Sequence, residues 1–217
     1  MPITESDLAN YSPTRKVPLR LLHSHGEIYN LPPPTQGLVS MAVLGVLDNI
    51  YHEMGSGLVL PKTGIIWHNR GVSFSLDQDH LLSLKPGKKP YNTLNPAAAK
   101  LHDGRVMIYG TRGGDGQPQT QAVIFHRYVI QKYELQNSVS SPRWVYGRIS
   151  GDADDSLKLE DRFSEETVKY LKERGHDIVI LPAYSNKVGQ AGALVRHPDG
   201  MMEGAFDFRS NGSAAGF

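Results

Sequence analysis

The sequence predicts an α+β sandwich with segregated layers, and three observations carry that reading. Gly 22 and Pro 14 among 217 residues make up about 17% of the chain against a usual total near 12%, which favours strands, turns and loops over a helical bundle. The helical patterns at 117–133 and 164–175 each have strand-like runs at both ends, an arrangement that stacks helices on a sheet. Hydrophobic residues at 39% and charged residues at 21% are ordinary globular proportions, so wholesale disorder is excluded. The length suits one compact domain, or one domain with an appendage.

Taken in order, the first extended pieces are Val17–Leu22 and Glu27–Tyr29. Pro32-Pro33-Pro34-Thr35-Gln36-Gly37 follows, where three prolines hold a left-handed extended turn and force a boundary. Read locally, that segment is a rigid linker. Leu38, Met41, Ala42, Val43, Leu44, Val46 and Leu47 give an apolar helical stripe that stops at Asp48-Asn49. Gly64–His68 and Arg105–Tyr109 read as strands, the second entered through His102-Asp103-Gly104. Gly113-Gly114-Asp115-Gly116 runs into a helix over Gln117–Tyr133, with Ala122, Val123, Phe125, Tyr128 and Val129 as its apolar residues. Ser164 caps a helix with Glu165 and Glu166 in its first turn and Gly175 just past its end. Asp177–Leu181 and Ala193–His197 are strands, and Pro198-Asp199-Gly200 turns into Met201–Phe206. The sequence shows no internal repeat, and only Ser210–Phe217 is compositionally simple.

Composition removes several function classes. Cysteine is absent, which excludes disulfides, thiolate metal sites, iron–sulfur clusters and a cysteine nucleophile. A net charge of +1 gives no reason to expect nucleic acid or an anionic membrane as partner. The segment Met1 to Asp7 lacks a basic and an apolar signal region, so the expectation is a soluble, cytoplasmic chain without a signal peptide. The longest apolar stretch, Met41 to Leu47, falls far short of the roughly 20 residues a membrane span needs. Asp152 to Asp177 carries nine acidic and five basic residues, read as a solvated helix with its preceding loop.

Local motifs stop short of a function. His23-Ser24-His25 places two imidazoles on one face of a strand, with Glu27 as the nearest third donor, and His52-Glu53 lacks a second histidine four residues on. Structural or exposed histidines are the expectation, with no metal and no cofactor. Glycines ahead of a helix N-terminus let backbone N–H groups converge on an anion, so Gly113-Gly114-Asp115-Gly116 suits a phosphate, an acyl-transfer oxyanion, or only a tight turn. The segment is neither a Walker loop nor a dinucleotide fingerprint, and no Gly-x-Ser-x-Gly elbow is present.

Several segments, read together, resemble the γ-glutamyltransferase (γ-glutamyltranspeptidase) family of N-terminal-nucleophile hydrolases. Pro32-Pro33-Pro34-Thr35-Gln36-Gly37 resembles the Pro-Pro-Pro-Ser-Ser-Gly segment of the large subunit. Met54-Gly55-Ser56-Gly57 is similar to Phe-Gly-Ser/Thr-Gly, and Gly64-Ile65-Ile66-Trp67-His68-Asn69 to Gly-Ile-Leu-Leu-Asn-Asn. The run Pro86 to Pro96 resembles Pro-x-Lys-Arg-Pro-Leu-Ser-Ser-Met-x-Pro. Gly110-Thr111-Arg112-Gly113-Gly114 matches Gly-Ser/Thr-Pro-Gly-Gly, Pro142-Arg143 a Pro-Arg that follows, and Gly204 to Arg209 the closing Gly-Ala-x-Asp-Pro-Arg. The order agrees across almost the whole chain.

The resemblance implies an incomplete αββα sandwich and a mechanism. In the family, self-cleavage exposes a threonine that attacks a γ-glutamyl amide, its own α-amino group serving as base. Gly113 and Gly114 then stand as the oxyanion hole. Asn92, Thr93, Arg70, Ser73, Tyr51 and Asn69 stand as the substrate pocket, with Asn92 and Thr93 in place of a serine pair that holds the α-carboxylate. Ser73 falls where the family has an aspartate for the α-amino group, and Arg70 replaces a neutral side chain. That departure favours another acyl group, as in the cephalosporin-acylase branch.

The family's Thr-Thr-His/Ser nucleophile motif has no counterpart, because Leu47-Asp48-Asn49 runs straight into Ile50-Tyr51-His52-Glu53-Met54-Gly55. Thr35 is a candidate substitute, in a context that matches the interior of the large subunit. The reading is therefore a shortened family member: residues 1–48 as a large-subunit remnant, and 49–217 as a small-subunit-like region. Its partners are a γ-glutamyl or related acyl molecule where active, and a second copy or another chain that fills the gap. The alternative is a non-catalytic interaction module.

Overall fold

In the computed structural model, which describes residues 13–23, 26–33, 35, 60–62, 68, 70–149, 152 and 154–215, the strands divide between two sheets. The larger is built from β1 (Leu19–His23), β2 (Gly26–Asn30), β3 (Ala97–Leu101), β4 (Val106–Arg112), β8 (Gln190–Arg196) and β9 (Met202–Phe206). They lie in the order β1-β2-β3-β4-β8-β9, every neighbouring pair antiparallel. The smaller sheet contains β5 (Trp144–Gly147), β6 (Ser156–Glu160) and β7 (Ile178–Leu181), with β6 and β7 parallel. The fold is α+β.

Period-two alternation sorts the large sheet into two faces. Ile28, Ala97, Ala99, Leu101, Met107, Tyr109, Ala191, Ala193, Val195 and Ala205 share a core with Ile124, Phe125, Tyr128, Val129, Leu135 and Val139. The last six belong to α1 (Gln117–Phe125), its continuation His126–Ile130, and α2 (Leu135–Ser140). The alanines on this face let the helices sit close to the sheet. On the opposite face Ile108, Leu194 and Met202 are 56%, 47% and 61% exposed, and Ile108 is the register partner of Leu194. The resemblance leads one to expect a second sheet against that face; among the described residues the stretch with Gly212 and Ala214 lies against it at Phe206 and Gly204, and Ile108 and Met202 stay open to solvent.

The helix read over Gln117–Tyr133 changes character before its end. α1 gives way to a wider π turn at His126–Ile130, and Lys132 at φ 61° closes the segment three residues early. α3 (Glu165–Glu173) is capped as its sequence predicts: Ser164 Oγ accepts from Thr167 N at 3.2 Å. The acidic stretch is not wholly solvated, however. Glu160 and Lys158 of β6 are buried, and Lys158 Nζ lies 2.6 Å from Asp152 Oδ2. The stripe at 38–47 and the strand expected at Gly64–His68 fall outside the described residues, His68 itself excepted. Among the described residues no helix is long and apolar enough to cross a membrane.

Candidate active site

β4 ends at Arg112 and the chain turns through Gly113 and Gly114, at φ 143° and 52°, before α1 begins. A side chain is excluded here on two grounds, since both φ values are positive and a Cβ on Gly113 would lie 2.7 Å from Gly189 Cα. Gly189 is itself at φ 79°, and its own Cβ would meet Arg112 O at 2.7 Å. Two glycine backbones therefore interlock. Gly113 O accepts from Gly116 N at 3.1 Å and Gly114 O from Gln117 N. The N–H groups of Gly113 and Gly114 have no acceptor among the described residues. Two open donors beside a helix N-terminus suit an anion or a developing oxyanion.

The first turns of α1 are buried despite their polarity, because each side chain has a main-chain partner. Gln117 Nε2 donates to Thr93 O at 2.9 Å, Gln121 Nε2 to Asn95 O, and Thr120 Oγ1 to Val188 O at 3.3 Å. Gln119 donates to Tyr146 O and accepts from Tyr146 N, both at 2.8 Å. Helical periodicity alone could not reveal this, since it treats glutamine as a solvent-facing residue.

Residues 91–93 bring several sequence candidates together. Ser73 Oγ donates to Tyr91 O at 3.0 Å, Thr35 forms a parallel bridge with Asn92, and Gln117 ties Thr93 to the glycine turn. Thr93 and Arg70 are buried, Arg70 opening the short 3-10 turn Arg70–Ser73. Asn92 Oδ1 accepts from Leu94 N at 3.0 Å. The Thr35 hydroxyl points back along its own chain, 3.1 Å from the carbonyls of Leu31 and Pro32. Tyr51, Asn69, His25, His52 and Glu53 fall outside the described residues. Glu27 binds Arg20 and Tyr29, and among the described residues no group of three metal-ligating side chains occurs.

A buried ionic cluster behind the turn escaped residue-by-residue reading. Arg143 Nη2 donates to Gly189 O and to Asp207 Oδ2, each at 2.5 Å. Asp207 Oδ2 also accepts from Ala191 N at 2.9 Å, and Arg209 grips Glu160 through Nε at 2.7 Å and Nη2 at 2.6 Å. Burial pushes the Arg143 guanidinium down to about 10, with the neighbouring Arg209 charge adding to it. Burial alone would raise the Glu160 carboxyl, but the Arg209 guanidinium and the Arg143 N–H outweigh it and hold the group below its usual range. The one sequence signal for the cluster was Pro142-Arg143 and Asp207-Phe208-Arg209, visible only through the family resemblance.

The described geometry can be set beside known proteins. A protein-family model described as Gamma-glutamyltranspeptidase matches residues 48–217. The chain is 42% identical over 308 aligned positions to the oxamate amidohydrolase proenzyme of Klebsiella pneumoniae subsp. pneumoniae, covering 100% of this chain and 58% of that protein. It is 38% identical to the glutathione hydrolase-like YwrD proenzyme of Bacillus subtilis, over 78% of this chain and 32% of that one. Among solved structures, a cephalosporin acylase from Bacillus halodurans superposes with a TM-score of 0.82 at 22% identity, over 98% of this chain and 55% of the acylase. The chain thus spans little more than half of the first relative and about a third of the second.

Proposed function

We propose that this chain, which belongs to the gamma-glutamyltranspeptidase family, binds the acyl part of a small anionic amide and is inactive alone for want of a nucleophile. The observation that carries the reading is the pair of open N–H groups at Gly113 and Gly114, held beside Thr93 and Asn92 by the first turn of α1. Both glycines take positive φ, a conformation open to glycine without strain, so the backbone presets the two donors. Arg70 and Ser73 point to the acyl class. A serine cannot pair with an α-ammonium as a carboxylate does, whereas a buried guanidinium suits a carboxylate. An acyl group with a carboxylate and no amino group fits that exchange, and oxamate, named in the relative that is 42% identical, is such an amide.

Support for the missing nucleophile comes from alignment length. The match to that relative runs over 308 positions and takes in all of this chain, whose 217 residues leave about 91 positions of the relative without a counterpart. A gap of that size agrees with the join at Leu47–Ile50, across which the family's Thr-Thr motif would lie. Residues 1–48 and 49–217 are accordingly proposed as a large-subunit remnant and a small-subunit-like region. A second chain carrying the missing segment would complete the site.

The test is release of ammonia from oxamate, and of chromophore from a γ-glutamyl anilide, by protein made in a host without related enzymes. No turnover is expected from either, while oxamate raises the melting temperature and the γ-glutamyl anilide does not. Turnover abolished by Thr35→Ala would make Thr35 the nucleophile and overturn the inactive reading. Stabilisation by the anilide but not by oxamate would overturn the acyl class.

A further inference from the structure

We propose that the chain pairs with a second copy of itself through the free edge of β7 and the flank of α3 beside it. Among the described residues two sheets present four edges, and three of them are managed. β1 carries Arg20 on its edge, paired with Glu27. On β9, Gln136 Nε2 donates to Phe206 O at 2.9 Å, and Ala214 and Gly212 lie against Gly204 and the Phe206 ring. β5 is closed by the Gln119 side chain, whose amide pairs with both main-chain groups of Tyr146.

Among the described residues β7 has no such guard. Its sequence, Ile-Val-Ile-Leu, contains no charge and no proline, and Val179 and Ile180 on opposite faces are 42% and 47% exposed. Asp177 O and Leu181 O accept from Leu157 N and Asp161 N at 2.7 and 2.8 Å, so alternate residues turn their main-chain groups toward β6. Ile178 and Ile180 turn theirs outward. An exposed apolar edge of this kind is a template for another strand.

The occupant follows from the helix. Thr167 and Leu171 of α3 face a cavity over β5 and β6, while Val168 and Lys172 face a groove of about 440 Å³ beside Ile180. The helix thus lies across the β6–β7 pair. A two-fold axis at the β7 edge, pairing β7 antiparallel with its copy at the usual strand spacing near 4.8 Å, brings the two α3 axes to about 10 Å, the ordinary helix-packing distance. The helices then run antiparallel, with Glu165 of one opposite Lys172 of the other, twice over. Both residues line the groove. An unrelated strand could use the edge, but only a second copy meets this charge pattern with its own complement.

Sedimentation velocity of the full chain over a concentration series tests the assignment. A species of twice the 24.0 kDa chain mass is expected, with its dissociation constant raised roughly tenfold or more by Ile180→Lys, because a lysine guards an edge. Glu165→Lys sets two lysines opposite each other and weakens the pair; adding Lys172→Glu restores it. The double variant opposes the helix dipole at both ends of α3, so recovery reports the contact between copies rather than helix stability, and circular dichroism checks that each variant is folded. A monomer at every concentration overturns the proposal. So does association that none of these variants moves, or a double variant without recovery.

Discussion

One face of the six-stranded sheet presents Ala97, Ala99, Met107, Ala191, Ala193 and Ala205 to two helices, and the other presents Ile108, Leu194 and Met202 to water. The first face is tied down further at the end of α2, where Arg143 and Arg209 donate to Val139 O while holding Asp207 and Glu160. The second face also has apolar side chains, and among the described residues it is largely open, with Gly212 and Ala214 against it at Phe206 and Gly204. The difference separates a face that the described residues close, with the helical layer and the glycine turn on that side, from one that they leave largely open.

The contrast can be broken most sharply at Arg143. Arg143→Ala removes one of the two guanidinium partners of the buried Asp207, leaving Arg209 as the other, and should cost about 3 kcal/mol, read as a lower urea midpoint. Gly113→Ala forces a Cβ against Gly189 at a positive φ and should cost about 1–3 kcal/mol, with loss of any stabilisation by oxamate. Acid acts on the same side of the sheet. The Glu160 carboxyl titrates lower in the folded than in the unfolded chain, so its contribution is complete above the unfolded value near 4.3 and disappears as pH falls through the folded one. Melting temperatures measured from neutral to acidic pH should decline in that window, and Glu160→Gln should flatten the decline. The smallest effect belongs to the bare face, where Ile108→Thr should move stability by no more than about 0.5 kcal/mol yet reduce binding of a hydrophobic dye. A loss comparable to that of Arg143→Ala would show that the two faces are not different after all.

Elements with strong local signals were legible in the sequence. Ser164 with Glu165 and Glu166 announced α3, and the turns at His102–Gly104 and Pro198–Gly200 bracketed β4 and β9. β3 was not read, since Ala-Ala-Ala-Lys-Leu carries no strand propensity; its alanines reflect the closeness of the helices, which is tertiary information. β6 was hidden by Lys158 and Glu160, whose charges suggest solvent and whose partners come from distant segments. The glycine turn was visible as a pattern and ambiguous as chemistry until Gly189 and Thr93 were seen beside it. Ser73, Thr35 and Gln117 converge on residues 91–93 from three separate parts of the chain, and no spacing rule joins them.

The interlock of Gly113 with Gly189 has a consequence for how the glycine turn folds. The backbone that shapes it, and the Asp207 that steadies Arg143 behind it, come from segments far away in sequence. Closing those loops costs entropy before the contacts repay it, so the turn takes its form together with the tertiary fold and not ahead of it. A peptide cut out around the glycines would carry their sequence without the cradle.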